Sequence, residues 1–292
     1  TKLGVFRGGW TLEAAEDVCE EPLALEWLEQ LQEASLVQGK EADGGEMRFR
    51  LLETLREYAL EQLSPDELAW REERYAQYFE KLAQQAAQQL AGPEQGAWLR
   101  RLESEQDNFR AVLARLLEKA PSRALYLGAD LAPFWEARGH FAEGRSWIER
   151  ALESCRAVGD ALEAKLQTRA QNMLGWFAFY ETDFARFEPN HQAALARARE
   201  HGDVHGQIEA LAGLALSSAL QNDFVATRRY IDEELALIRG LRDARDVARV
   251  LAMMAMAGLM TTHGDDYELA RRVNSEVVSL ARELGDSLSL AK

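Results

Sequence analysis

Cysteine, histidine and proline are scarce in this sequence, and basic residues are outnumbered by acidic ones. Its 292 residues include two cysteines, five histidines and six prolines, with 34 Lys and Arg against 49 Asp and Glu. Cys19 and Cys155 lie far apart, so they form no metal-ligand spacing and imply no disulfide framework. A reducing cytoplasm is the expected location. The net charge of −15 argues against a nucleic-acid surface, because phosphate contacts need clustered Lys and Arg. It argues equally against an anionic membrane face. The longest apolar run, Ala252 to Met260, is far too short to span a bilayer and reads as a buried helix. The sequence opens on "TKLGVFRGGW" with no Met and no signal-like stretch, as expected of a piece of a longer protein.

Catalytic signatures are equally thin. There is no Gly-x-Ser-x-Gly, no His-Glu-x-x-His and no paired-cysteine motif. His140, His191, His201, His205 and His263 are dispersed. His201 and His205 are four apart, but Gly202 and Asp203 between them read as a turn, which fixes no ligand geometry. The many carboxylates read as solvated helix faces. No catalytic, cofactor-binding or metal-binding residue is expected, and no turnover.

What is abundant is apolar material at helical spacing, 47% of the chain. Residues 1–63 read as one unit. Thr11 is placed to N-cap a helix burying Leu12, Ala15, Val18 and Cys19. Pro22 suits the first turn of a second helix with Leu25, Leu28 and Leu31 along one side. "SLVQ" reads as a short strand, Asp43-Gly44-Gly45 as the turn and "MRFRL" as the return strand. In "RFRLLETLREYALEQL" the alternation of Arg48-Phe49-Arg50-Leu51 passes directly into a helical pattern at Leu52, Leu55, Ala59 and Leu63. Helix, helix, hairpin, helix is the order of a winged-helix domain. This one holds 6 Lys and Arg against 14 Asp and Glu, a net of −8, and its groove-entering helix, "LALEWLEQLQEA", has no cation. A role in packing against protein is therefore expected rather than DNA binding.

Residues 64–121 read as linking helices or a first helical-repeat unit. Ser64, Pro65 and Glu67 compose a capping box ahead of a long helix with Leu68, Tyr75, Phe79, Leu82, Ala86 and Leu90 on one side. Two more helices carry Trp98 and Leu102, then Phe109, Val112, Leu113 and Leu116, before "APS" at 120–122.

Residues 122–292 repeat. Four segments open with a small polar pair and an aromatic, Phe141, Phe184, Phe224 and Tyr267, at periods of 43, 40 and 43. Each closes on an aspartate 19 residues later, Asp160, Asp203, Asp243 and Asp286. About ten residues before each aromatic sits a pair, Leu131-Ala132, Leu174-Gly175, Leu214-Ala215 or Ala257-Gly258, small enough to let two helices approach. This is the logic of a helix-turn-helix solenoid similar to tetratricopeptide repeats. The four aromatics are expected in equivalent buried places. The fold class is therefore mainly α: a winged helix, then a right-handed α-α superhelix.

The stretches "VFRGGWTLEAAEDVC", "LQEASLVQ", "RFRLLETLREYALEQL" and "LESEQDNFRAVL" resemble the region just after the nucleotide-binding core of bacterial STAND signal-transduction ATPases, the NB-ARC-like regulators that carry tetratricopeptide repeats. The resemblance implies an upstream P-loop domain holding ATP or ADP, a winged helix that packs on it, and repeats that sense a protein or small-molecule inducer. "QGKE" lacks the glycine and hydroxyl residue of a phosphate loop, so no nucleotide is expected on this chain. Relatives place Met-His-Asp, whose histidine reaches the nucleotide phosphate, where Leu51-Leu52-Glu53 stand here. Leu52 cannot donate that bond and reads as a core residue. Glu53 and Arg56 are candidates to face the absent domain.

For a partner on the repeats, Arg169, Asn172, Trp176 and Phe179 project toward the concave side if Leu174-Gly175 face the partner helix. The same aromatics would equally pack against the next repeat. Phe187 replaces a small residue, and Pro189, inside the same helix, is expected to kink it. Regulation within a STAND-type switch is the leading expectation. A free-standing repeat scaffold and a DNA-binding winged helix are the alternatives.

Overall fold

The computed structural model describes residues 1–41, 45–90, 92–159 and 162–238, with residues 271 and 275. Asp43, Gly44, Asp160, Asp243, Asp286, the run from Ala252 to Met260, His263, Ala257-Gly258 and Tyr267, with nearly all of the fourth repeat, lie outside the described residues. The chain divides into two compact units, Thr1–Arg138 with Arg150–Val158, and Gly139–Glu149 with Gly159–Lys292.

The first unit begins with a 3₁₀ turn (Lys2–Val5) and the strand β1 (Trp10–Thr11), followed by α1 (Leu12–Cys19), α2 (Ala24–Glu33), β2 (Val37–Glu41), β3 (Met47–Leu51) and α3 (Glu53–Glu61). The sheet order is β1-β3-β2, with both pairs antiparallel. Trp10 faces Phe49 across one ladder, and Val37 faces Leu51 across the other. This is a winged helix. Two-residue β1 is too short to show a period, and only its pairing with β3 reveals it.

Several local expectations hold. Thr11 caps α1, its Oγ1 accepting from the Ala14 N–H at 3.2 Å. Ala15, Val18 and Cys19 are buried beneath it. Gly45, at the hairpin turn, has φ +83°. Others need correction. Pro22 precedes α2 rather than starting it, and Leu25 is exposed, so α2 rests on Ala24 and Leu28. Ser35 takes φ +58°, which delays β2 to Val37. Leu52 is exposed rather than part of the core. It occupies the extended N-cap of α3 (φ −65°, ψ 144°), where the strand has ended and the helical face has not begun.

Four more helices follow in this unit: α4 (Pro65–Gln89), α5 (Gln95–Ser104), α6 (Gln106–Lys119) and α7 (Pro121–Arg138). The capping box closes as expected, with Ser64 Oγ accepting from the Glu67 N–H at 3.3 Å and Glu67 Oε2 accepting from the Ser64 N–H at 3.0 Å. A chain of aromatics forms the core. Phe6 stacks on Trp10 (5.2 Å between centroids) and meets Tyr75 edge-on (5.6 Å). Tyr75 meets Phe79 (4.9 Å), and Phe79 meets Phe109 (5.4 Å). Each such ring contributes about 1.5–3 kcal/mol by burial. The winged helix and α4–α6 therefore share one core.

The second unit contains the start of α8 (Phe141–Val158), then α9 (Ala164–Tyr180), α10 (Phe184–His201), α11 (Val204–Leu220) and α12 (Phe224–Ile238). The repeat is visible in its turns. Thr182 and Asn222 both take left-handed φ, +59° and +61°. The next residue closes each turn, Asp183 N–H on Ala178 O (2.8 Å) and Asp223 N–H on Ser218 O (2.9 Å). Such short links make each helix pair antiparallel. Phe141, Phe184 and Phe224 each begin a second helix, as the repeat register requires. Burial does not follow: Phe184 is 53% exposed, and Phe141 and Phe224 are only half-buried. Phe184 touches Phe179 of α9 only edge-on (6.4 Å between centroids), a contact that leaves much of its ring in water. α10 runs unbroken through Pro189. Among the described residues, no helix is long and apolar enough to cross a membrane.

Candidate functional site

The aromatic region of the repeats closes inward. Asn172 and Trp176, expected on an open concave face, are buried at 0% and 2% exposure. Arg169 and Phe179 are half-buried, so only these two of the four candidates reach the surface. Trp176 on α9 meets Phe187 (5.9 Å) and His191 (5.1 Å) of α10. Phe187 also packs on Phe179 (5.2 Å) and His191 (5.1 Å). Phe187 thus fills the core where its sibling repeats carry a small residue.

His191 is the centre of this cluster. Its Nδ1 lies 3.1 Å from Asn172 Oδ1, which sets that nitrogen as the protonated one. Asn172 Nδ2 donates to Gly206 O on α11 at 3.1 Å, so a single amide links three helices. Nε2 is buried without a hydrogen-bond partner among the described residues. The ring is held between Gly175 and Gly213, where an added Cβ would approach Nε2 to 2.5 Å and Cδ2 to 2.3 Å. Burial alone pushes the imidazole pKa down to about 3. A neutral histidine in that setting is a packing element whose Nε2 is an unmet acceptor. A lone histidine gave no sign of this in the sequence. Gly175 and Gly213 leaving room for one ring was the only available signal, and it needs the pairing of α9, α10 and α11.

At the end of the hairpin, Arg56 is buried and holds Glu53 through Nε (3.0 Å) and Nη2 (2.6 Å). Arg7 reaches the same carboxylate at 3.3 Å. The Arg56 hydrogen bonds draw the exposed Glu53 carboxyl below its ordinary pKa. Arg56 is thus committed inward, with Nη1 3.5 Å from Gly4 O. Glu53 and exposed Leu52 are the groups presented outward at this corner.

A buried polar knot joins the "FRGGW" and "SEQDN" stretches. Asn108 Oδ1 accepts from the Arg7 N–H (2.7 Å) and the Tyr75 hydroxyl (2.8 Å), and its Nδ2 donates to Gly9 O (2.8 Å) and to Glu105. All four hydrogen-bonding positions of the amide are filled. Glu105 in turn receives Arg48 of β3, whose Nη2 also donates to Ser104 O at 2.9 Å. Burial raises the Glu105 carboxyl pKa, and the Arg48 guanidinium opposes that rise. Gly9 sits at φ +115°, and an added Cβ would lie 2.8 Å from Phe49 O. The two stretches lie 99 residues apart, and nothing local in either marks their contact.

Among the described residues, no group of three or more His, Cys, Asp or Glu could hold a metal ion. His201 ends α10 and His205 lies in the first turn of α11, on separate helices.

No family model matches the chain. Three proteins, one from Mycobacterium bovis and two from Mycobacterium tuberculosis strains, are each 31% identical over 295 aligned positions covering 98% of this chain. Their names describe them provisionally as HTH-type transcriptional regulators. The chain spans 33% of their length. Among solved structures, BtubC (BKLC) from P. vanneervenii superposes at a TM-score of 0.51 with 15% identity, covering 74% of this chain and 92% of that one. That likeness concerns the fold alone. A STAND protein with a tetratricopeptide repeat sensor from Pyrococcus horikoshii gives 0.46 with 12% identity, covering 98% of this chain and 44% of that one, too low to establish a shared fold.

Proposed function

We propose that this chain is the regulatory and sensor portion of a longer STAND-type ATPase that controls transcription. The observation that carries this reading is the end-to-end match, at 31% identity, to a third of three proteins named as regulators. The knot between "FRGGW" and "SEQDN" supports it, because those stretches also carry the STAND resemblance. ATP or ADP would sit on a domain outside this chain, which packs on the Leu52–Glu53 corner of the winged helix. Arg169 and Phe179 are the surface groups for a protein or small-molecule inducer. The chain makes no direct nucleic-acid contact, because its winged helix is net negative. DNA contact belongs to another part of the longer protein, and the whole works in the cytoplasm.

Calorimetry and mobility-shift assays on the 292-residue chain and on the protein from the complete reading frame test the proposal. The longer protein should bind ATP or ADP and shift DNA, while this chain does neither. A micromolar nucleotide site on this chain, or a salt-sensitive DNA shift by it, would overturn the assignment.

A further inference from the structure

The winged helix leaves one surface unused. Between Arg7 and Lys40 there is no cation and there are eight carboxylates. Of the five on α1 and its flank, four are tied within the chain: Arg101 holds Glu13, Arg74 holds Asp17 and Glu20, and Lys2 holds Glu21. On α2, the exposed Glu26, Glu29 and Glu33 have no ion-pair partner among the described residues. Beside them, Leu23 and Trp27 are each 53% exposed. Leu23, Glu26, Trp27 and Gln30 follow the i, i+3, i+4, i+7 spacing that puts side chains in one stripe on a helix. The buried residues of α2, Ala24 and Leu28, lie off that stripe. An exposed tryptophan set among unpaired carboxylates is the composition of an interface anchor with a charged surround.

We propose that this stripe of α2 docks a separate protein that presents a basic amphipathic helix, with aliphatic groups over Trp27 and Leu23 and Lys or Arg beside Glu26 and Glu29. Charge selects the partner. DNA, RNA and anionic lipid are repelled by the carboxylates. A second copy of this chain, net −15, would bring like charge against like. Only a cationic surface gains from this face, and apolar groups on it cover the tryptophan. The inference does not depend on the sensor reading of the repeats.

The test is hydroxyl-radical footprinting of Trp27, read by mass spectrometry, on this chain and on the protein from the complete reading frame. The probe is an 18-residue amphipathic helical peptide of Lys and Leu. Trp27 should oxidise equally in both proteins, and the peptide should protect it. The peptide's affinity should fall at least tenfold with Trp27→Ala or with Glu26→Lys/Glu29→Lys, and stay unchanged with Trp70→Ala, a control at another exposed tryptophan. All these positions are exposed, so the variants should fold. Two results overturn the proposal. One is shielding of Trp27 in the longer protein without peptide, which assigns the face to the protein's own remainder. The other is peptide affinity indifferent to both α2 variants, which reduces binding to bulk charge.

Discussion

Asn108 Nδ2 donates to the Gly9 carbonyl oxygen at 2.8 Å across 99 residues of sequence. The same amide's oxygen takes the Arg7 N–H and the Tyr75 hydroxyl. The loop entering β1, the long helix α4 and the start of α6 therefore meet on one side chain. One buried amide thus ties the winged helix to α4 and α6.

Removing that amide should be costly. Asn108→Ala strands two donors and two acceptors in a buried place, each worth about 1–3 kcal/mol when unmet, with partial relaxation. Urea unfolding should show a loss of about 3–5 kcal/mol from the first unit. Hydrogen exchange should rise together at Arg7–Thr11 and at α6. A rise confined to α6 would mean that the loop is held by other means.

Phe184 and Phe187 separate two meanings of an aromatic in a repeat. Phe184 marks the register but is 53% exposed, so Phe184→Ala should cost under about 1 kcal/mol. Phe187 is 1% exposed among Trp176, Phe179 and His191, so Phe187→Ala should cost about 3–5 kcal/mol. Thermal denaturation of the two variants side by side decides this, and the opposite order would refute the packing described.

His191 ties stability to acid. Its native pKa is about 3 and its unfolded value about 6.5, so between those limits the unfolded chain binds the extra proton. The stabilisation is complete above pH 6.5. It declines by about 1.4 kcal/mol per pH unit as pH falls toward 3. His191→Gln should flatten the stability curve between pH 6 and 4 relative to the parent. Parallel curves would show that the ring takes up a proton without opening the fold.

Gly213 and His191 should behave as a pair. Gly213→Ala places a methyl group about 2.3 Å from Cδ2 of the ring, an impossible separation that the neighbouring helices must relieve by moving. The single variant should lose several kcal/mol, of the order seen for overpacking. Adding His191→Ala should recover part of that loss. Additive losses in the double-mutant cycle would place the strain elsewhere.

Sequence alone determined the elements with local causes. The Ser64–Glu67 box and the Thr11 cap are set by residues three positions apart, so their hydrogen bonds are written in order along the chain, and the alternation ending at Leu51 marks a strand whose partners lie farther off. The repeat register was legible too, because Phe141, Phe184 and Phe224 recur at the same turn. Tertiary structure alone decided burial. Leu52 and Leu25 carry apolar side chains at helical spacing, yet both stay exposed. Trp176 and Asn172 have the chemistry of a binding face, yet α10 and α11 close over them. Periodicity says which side of a helix is apolar. Which element lies against that side, and how near, depends on pairings such as Gly9 with Asn108 and Gly213 with His191, which join distant parts of the chain and leave no local trace.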